Sequence, residues 1–205
     1  MARYKRDSDI QAVPISESLP LPIDRLTTPI GEMSIVANRD GNLRAIDWTD
    51  HETRMRRFLR LHYGENGFRL EPARNPNGLT YAIGSYFEGE LTAIDVLPVK
   101  TGGTLFQREV WRGLRNIPCG TTVSYAKFAE RIGRPAAVRA VGLANGSNPV
   151  GVVVPCHRVI GTNGSLTGYG GGIERKSWLL KHETSAPAMK RNKLYSETRF
   201  MSTKS

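Results

Sequence analysis

The pattern of apolar and polar positions in the first half of the chain predicts an α/β unit. Strand-like runs at 33–37 and 43–48 flank Asn38-Arg39-Asp40-Gly41, a turn sequence in which glycine accepts positive φ at little steric cost. Apolar residues then recur at helical spacing over 55–62, and Gly64 predicts the end of that helix. Three further elements complete the unit: a strand at 68–70, a helix at 79–87 and a strand at 93–97.

The second half of the chain has a mainly helical pattern. Residues 104–107 form a capping-box sequence, and apolar positions follow at helical spacing over 106–117. A second helix is predicted at 125–132, and Pro135 begins a third that continues to 144. Two short helices joined by a tight turn are typical of a helix-turn-helix. A helical hairpin that serves packing alone has the same pattern.

One cysteine and one histidine follow a short apolar run. Residues 152–154 are valines, which predict a buried strand that ends at Pro155. Cys156 and His157 come next and would lie at the mouth of the core. A thiol attacks only as the thiolate, and with a pKa near ~8.5 it is mostly protonated at neutral pH. A neighbouring imidazole that accepts this proton is a common way to activate it. The alternative is a small core cysteine beside a surface histidine.

Two segments after this pair complete the candidate site. Residues 161–172 are rich in glycine and include Tyr169, so this loop would either admit a flat ring without side-chain obstruction or form a flexible turn. The helix predicted over 173–183 ends at Glu183. A carboxylate therefore lies at the end of a rigid element, where a distant partner can use it.

The formal net charge of +10 is concentrated in one part of the chain. Residues 100–183, which include the cysteine–histidine pair, contain twelve basic and four acidic side chains. This excess favours a polyanionic partner, and nucleic acid is the class that fits best. The alternative is a basic face that only keeps the protein soluble.

Cysteine content and hydropathy exclude several other classes of protein. Two cysteines in 205 residues do not make a disulfide framework. The sequence is also compatible with a disulfide between Cys119 and Cys156, but we expect a reduced, cytoplasmic protein. No window approaches the ~18 apolar residues of a membrane span, and no apolar segment of a secretory signal follows the basic start of the chain. We also expect no metal, because no Cys or His residues have zinc-ligand spacing.

An ordered set of motifs resembles the O6-alkylguanine-DNA alkyltransferases, also called methylated-DNA–protein-cysteine methyltransferases. The motifs are Asn148-Pro149, Pro155-Cys156-His157-Arg158-Val159, Gly168-Tyr169-Gly170-Gly171, Lys176, Trp178-Leu179-Leu180 and His182-Glu183. Within the family, three more segments are most similar to the bacterial constitutive form: Thr101-Gly102-Gly103-Thr104, residues 106–111 and Ile117-Pro118-Cys119-Gly120. The likeness extends over about residues 21–183 and is strongest after Gly102.

The resemblance implies a two-domain architecture. An α/β, ribonuclease-H-like domain would occupy 21–99, and a mainly α domain with a helix-turn-helix would occupy 100–183. The polar residues 1–20 are expected to be a disordered lead-in, and residues 184–205 a basic tail.

The resemblance also implies catalytic roles for five residues. Cys156 would accept the alkyl group, His157 would act as its base through a water, and Glu183 would orient the imidazole. Asn148 would be a hinge that braces the recognition helix against the active-site turn, and Tyr125 would protonate the guanine leaving group.

A further set of residues would contact the base or the DNA. Arg139 would be the finger that fills the stack after the damaged nucleotide has been extruded from the duplex. The other expected contact residues are Tyr169, Gly171, Ala137, Ala140 and Val159. The helix that carries Arg139 would enter the minor groove, where contacts carry little sequence information.

The implied activity is single-turnover repair of O6-alkylguanine in double-stranded DNA, without a cofactor. A thioether on Cys156 has no good leaving group, so each molecule would act once. Gly170 and Gly151 stand where animal relatives carry serine and proline, which would widen the pocket for larger alkyl groups and for O4-alkylthymine. We expect a monomer in solution without a membrane partner, and cooperative binding along DNA stays open.

Two alternatives belong to other functional classes. The first is a cysteine hydrolase built from Cys156, His157 and Glu183. The second is a DNA-binding protein that senses lesions without repairing them. Multiple turnovers on an ester or a peptide would favour the hydrolase, and lesion binding without transfer would favour the sensor.

Overall fold

A computed structural model describes residues 18–185. Most of the expected lead-in and the basic tail after residue 185 therefore lie outside the described residues. The first strand already begins at Leu19, two residues before the start expected for the first domain. No helix in the described part of the chain is long and apolar enough to cross a membrane.

The first half folds around a four-stranded sheet in the order β3-β2-β1-β4. Its strands are β1 (Leu19–Thr28), β2 (Gly31–Ala37), β3 (Leu43–Trp48) and β4 (Phe68–Pro72). β2 is antiparallel to β1 and β3, whereas β4 is parallel to β1. The predicted hairpin between β2 and β3 is confirmed, with Gly41 at a φ of 79°. The sequence pattern did not reveal β1 as a strand, because prolines and charged residues interrupt its alternation.

Two helices cover this sheet, both close to the predicted bounds. α1 (Glu52–Tyr63) packs against β3, and α2 (Leu79–Phe87) packs against β1. The predicted strand at 93–97 is wrong, because this segment folds into consecutive turns closed by local hydrogen bonds such as Leu97 N to Ile94 O at 3.3 Å. Ile94 and Leu97 are buried all the same, whereas Val96 is 70% exposed.

The second half is mainly helical, as predicted. Its helices are α3 (Leu105–Arg115), α4 (Tyr125–Arg131), α5 (Val138–Gly146) and α6 (Ile173–Ser185). The capping box at Thr104 is formed in both directions. Two short parallel strands, β5 (Val123–Ser124) and β6 (Val159–Ile160), complete this half.

The helix-turn-helix is formed by α4 and α5. Gly133 turns the chain at a φ of 71°, and a 3-10 turn at Pro135–Ala137 leads into α5. α5 packs on α3, where the indole nitrogen of Trp111 donates to the Ala144 carbonyl at 2.8 Å. The prediction of a helix-turn-helix in a mainly α second half is confirmed.

One hydrophobic cluster joins the two halves. It combines residues of the sheet and α2, such as Ile35 and Ile83, with residues of the helical half, such as Val110 and Val154. The backbone of β3 reaches the segment before Cys156 directly, since Ile46 N donates to Pro149 O at 2.9 Å. The first half therefore supports the segment that carries the cysteine.

The predicted buried strand over residues 152–154 is wrong in conformation although right in burial. These valines are buried, but the chain forms a turn in which Val154 N donates to Val150 O at 2.9 Å. Val152 has a φ of 70°, a left-handed conformation that β-branched residues rarely adopt. An apolar run indicates burial but does not specify the backbone conformation. Here the residues that lead to Cys156 form a compact buried turn and not a strand.

Candidate active site

Cys156 begins a buried 3-10 turn, Cys156–Arg158. Asn148 holds the backbone that leads into this turn: its Nδ2 donates to Val154 O at 2.7 Å, and its Oδ1 accepts from Val150 N at 3.0 Å. Asn148 lies two residues after the end of α5 in the chain. It therefore connects the end of the helix-turn-helix to the cysteine turn, which is where the expected hinge would have to lie.

The Cys156 thiol is kept neutral by its surroundings. Burial raises the pKa of the thiol, and a hydrogen bond from the Asn148 side chain and the charges of Lys176 and Arg54 oppose this only in part. A neutral thiol is a poor nucleophile. Attack by this sulfur therefore requires a proton acceptor close to it.

His157 has the properties of that acceptor. Its Nε2 lies 2.9 Å from Glu183 Oε1, and both side chains are fully buried. Burial lowers the pKa of the imidazole although Glu183 opposes it, so the ring is neutral. Nε2 then carries the proton and donates to Glu183. Nδ1 has no hydrogen-bond partner among the described residues and is free to accept a proton.

The Glu183 carboxylate accepts hydrogen bonds from three further parts of the chain. Arg158 donates from Nε to Oε2 at 2.9 Å and from Nη2 to Oε1 at 2.8 Å. The Tyr86 hydroxyl donates to Oε1 at 2.9 Å, and Gly120 N donates to Oε2 at 3.1 Å. Burial alone would raise the pKa of Glu183, but His157 and Arg158 hold it far below its ordinary value. The carboxylate is therefore ionised inside the protein.

Tyr125 lies at the start of α4, next to the cysteine turn. Its hydroxyl accepts a hydrogen bond from Asn145 Nδ2 at 3.2 Å, and the same amide lies 3.5 Å from Cys156 O. Burial raises the pKa of the phenol, and the nearby Cys156 adds to this. Tyr125 therefore keeps its proton at neutral pH. Asn145 is a site neighbour that sequence reasoning missed, because its partners come from two separate segments.

The glycine-rich loop is anchored beside the cysteine turn. Lys176 Nζ donates to Val159 O at 2.7 Å and to Thr167 O at 2.8 Å. The ring centroid of Tyr169 lies 6.5 Å from that of His157 and 6.0 Å from that of Trp48. Val159 and Tyr169 are therefore both positioned at the site.

Trp48 of β3 packs directly onto Gly171. A Cβ at this glycine would lie 2.5 Å from Trp48 Cζ3 and 3.0 Å from Tyr169 Cε1. Only glycine fits between these two rings. This is a close approach of backbone to aromatic side chains, and it fixes one wall of the site.

The expectation of open space at Gly170 is not met. A Cβ at Gly170 would lie 1.6 Å from Arg54 Nη1, and Arg54 is fixed by hydrogen bonds of 2.8 and 2.6 Å to Asp47. The arginine therefore fills the place of the missing side chain. At Gly151 a Cβ would be 3.7 Å from Tyr169 Oη, an ordinary contact.

The expected DNA-contacting residues on α5 lie apart from the buried site. Arg139 and Ala140 are exposed, Ala137 is partly buried just before the helix, and Leu143 continues the outward face with 74% of its surface exposed. Arg139 makes no hydrogen bond or ion pair with any residue of the described range. The outward face of α5 therefore presents Arg139, the small Ala140 and Leu143, and within residues 18–185 the Arg139 cation has no partner.

The described residues contain neither a candidate metal site nor a disulfide. No group of three or more His, Cys, Asp or Glu side chains lies close enough to hold a metal ion within residues 18–185. Cys119 and Cys156 are both free thiols.

Comparison with known proteins covers nearly all described residues. Residues 25–101 match the family model "6-O-methylguanine DNA methyltransferase, ribonuclease-like domain", and residues 105–185 match "6-O-methylguanine DNA methyltransferase, DNA binding domain". A methylated-DNA–protein-cysteine methyltransferase of Shigella flexneri is 51% identical over 160 residues, which are 78% of this chain and 94% of that protein. A protein of the same name from Mycolicibacterium paratuberculosis is 48% identical over 76% of this chain and 88% of its own length.

Among solved structures, Mycobacterium tuberculosis OGT in complex with DNA is similar to this fold with a TM-score of 0.68. It is 40% identical in sequence and is matched over 83% of this chain and 96% of its own.

Proposed function

Because this chain belongs to the O6-alkylguanine-DNA alkyltransferase family, whose members repair DNA directly by alkyl transfer to a cysteine, we propose that Cys156 is its acceptor. The supporting observation is the neutral imidazole of His157, which ionised Glu183 fixes at 2.9 Å and whose Nδ1 has no hydrogen-bond partner within residues 18–185. The other described thiol, Cys119, is a poorer candidate, because burial, with the negative charge of Glu183 nearby, raises its pKa to about 12.

The transfer is a single displacement at the alkyl carbon. His157 Nδ1 takes the thiol proton through one water, and Glu183 stabilises the imidazolium that forms. The Cys156 sulfur then attacks the alkyl carbon, the carbon–O6 bond breaks, and its electron pair stays on the guanine. A bond to sulfur replaces a bond to oxygen, so no oxidant, reductant or cofactor takes part.

Tyr125 is the proton donor to the leaving guanine in this scheme. Asn145 donates to the phenolic oxygen, so the O–H proton of Tyr125 remains available to the leaving guanine. The proton that His157 has taken replaces it after the transfer. Overall, the reaction converts one thiol and one alkylated guanine to one thioether and one guanine.

DNA is the partner of this protein, and we assign its contact to the outward face of α5. Ala137 and Ala140 allow this helix to approach a groove closely, and Arg139 can enter the stack when the damaged nucleotide leaves it. Unstacking a nucleotide costs a few kcal/mol, which an inserted guanidinium would partly offset. Asn148 would transmit the position of α5 to the cysteine turn.

The base pocket is bounded by Tyr169, Gly171 and Val159 in this assignment. Trp48 fixes Gly171 from behind, so the wall is rigid. O6-alkylguanine in double-stranded DNA is the principal substrate. Only the clearance at Gly151 supports larger alkyl groups and O4-alkylthymine, since Arg54 fills the space at Gly170. We further propose that the protein is a monomer. We assign it to the cytoplasm, because a thiol acceptor must stay reduced.

The turnover number tests this function against the two alternatives. With damaged duplex in excess, we expect repair to stop when one lesion has been repaired per protein molecule, because the thioether on Cys156 cannot leave. Continued repair past that point would contradict transfer to the protein. Binding without any repair would identify a lesion sensor, and steady release of an ester or peptide product would identify a hydrolase.

A further inference from the structure

Tyr86 brings the first half of the chain into the buried network of the site. It lies on α2, its side chain has no exposed surface, and its hydroxyl donates to Glu183 Oε1 at 2.9 Å. Cys156, His157 and Glu183 all belong to the helical half. Tyr86 and Glu183 are 97 residues apart in sequence, so this contact exists only in the assembled two-domain fold.

α2 is fixed to the end of α6 at a second point. The Tyr86 carbonyl accepts a hydrogen bond from His182 Nε2 at 2.8 Å. The two rings also pack edge to face, with centroids 5.2 Å apart. Backbone, ring and hydroxyl of one residue therefore set the position of the α6 end that carries Glu183.

The hydroxyl acts on the carboxylate oxygen that orients the imidazole. Oε1 accepts from Tyr86, from His157 Nε2 and from Arg158 Nη2. Oε2 accepts from Arg158 Nε at 2.9 Å and from Gly120 N at 3.1 Å, and Arg158 Nε also reaches Oε1 at 3.2 Å. Burial, together with the charge of Glu183, raises the pKa of Tyr86 well above its ordinary value, so the phenol is always a donor here.

We propose that Tyr86 is a positioning residue for alkyl transfer, one that fixes Glu183 Oε1 where it orients His157 and so couples the first domain to the chemistry of the second. This inference rests on the proposed function. It assigns to the ribonuclease-like domain a part in the reaction that is separate from DNA binding.

Loss of the hydroxyl has two physical consequences. Oε1 then keeps only Arg158 and His157 as donors, so the carboxylate is held less firmly and the imidazole spends less time in the orientation that takes the thiol proton. The oxygen also keeps more negative charge, which makes His157 easier to protonate. The groups that face this pair come from every surrounding element: Tyr86, Asp95, Cys119, Arg158, Tyr169 and Lys176. Tyr86→Phe changes none of the others.

The test is the pH dependence of single-turnover transfer in Tyr86→Phe, measured in the full-length protein on duplex DNA containing O6-methylguanine. We expect the rate near neutral pH to fall about 10-fold, which is a part of the ~10²–10⁴-fold that general-base catalysis contributes in full. We expect the acid limb of the profile to move to higher pH. The 15N signals of the His157 ring should show protonation beginning at higher pH than in the wild type.

Tyr81→Phe is the matched control, because Tyr81 lies on the same helix with 75% of its surface exposed. It should leave both rate and profile unchanged, and the affinity of each variant for damaged duplex should stay within about 2-fold of wild type. A Tyr86→Phe protein with the wild-type rate and acid limb would overturn this inference alone. The inference would also be overturned if the rate loss of Tyr86→Phe were no larger than its unfolded fraction, as measured by urea unfolding, and its pH profile were unshifted. A wild-type protein that transfers nothing would overturn the proposed function as well.

Discussion

Cys156→Ala is expected to abolish alkyl transfer completely while it leaves binding to damaged DNA nearly intact. The side chain lies in a buried turn, and the expected DNA contacts lie on the exposed face of α5. Removing one sulfur atom takes away the only atom that forms the new bond. It changes no charge on the DNA-facing surface, so the phosphate contacts that dominate affinity remain.

The measurement compares transfer of labelled methyl groups with the Kd for the same duplex. Cys119→Ala is the matched control, since it removes the other described thiol and should keep transfer within about 3-fold of wild type. Residual transfer by Cys156→Ala, or a loss of DNA binding as large as the loss of transfer, would contradict this division between chemistry and binding.

Glu183→Gln is expected to cost both activity and stability. The carboxylate accepts hydrogen bonds from His157, Arg158, Tyr86 and Gly120. An amide cannot accept all of them and leaves the Arg158 guanidinium buried without its counter-charge. Breaking a buried ion pair in this way costs about 3–5 kcal/mol. We expect transfer to fall by about 100-fold or more, because the base loses its orientation.

The stability loss should depend on pH in a defined direction. The pKa of Glu183 is lower in the folded protein than its ordinary value of 4.5. The stability it contributes is therefore fully present above that value and is lost as the pH falls below it. Urea unfolding should show a large difference between wild type and Glu183→Gln at neutral pH, and a smaller one in acid.

The control for this variant is Glu174→Gln, on an exposed position of the same helix. It should change the unfolding free energy by no more than about 0.5 kcal/mol and should not change the transfer rate. A Glu183→Gln protein that transfers alkyl groups at the wild-type rate would show that His157 does not depend on this carboxylate.

Local signals made much of the fold predictable. The β2–β3 hairpin, α2, the capping box of α3 and the glycine after α4 are each specified by residues adjacent in sequence. The strand at 93–97 and the valine strand at 152–154 were wrong for the same reason. Most apolar side chains in the two segments are buried, but local hydrogen bonds and the Asn148 side chain satisfy the backbone, so no partner strand is needed.

The site itself was only partly accessible from sequence. The motifs placed Cys156, His157 and Glu183 together, and the structure brings His157 and Glu183 to 2.9 Å. Tyr86 and Asn145 carry no sequence signal, because each looks like an ordinary helix residue. Their contacts depend on how distant elements pack. The filling of Gly170 by Arg54 was hidden for the same reason.

Peptide mass analysis tests the central claim most directly. The wild-type protein is mixed with an excess of duplex containing O6-methylguanine, digested, and searched for added methyl groups on every cysteine peptide. The account predicts a single methyl group on the Cys156 peptide in every molecule and none on the Cys119 peptide. A protein that stays unmodified after the DNA has been repaired, or one that carries the methyl group elsewhere, would contradict it.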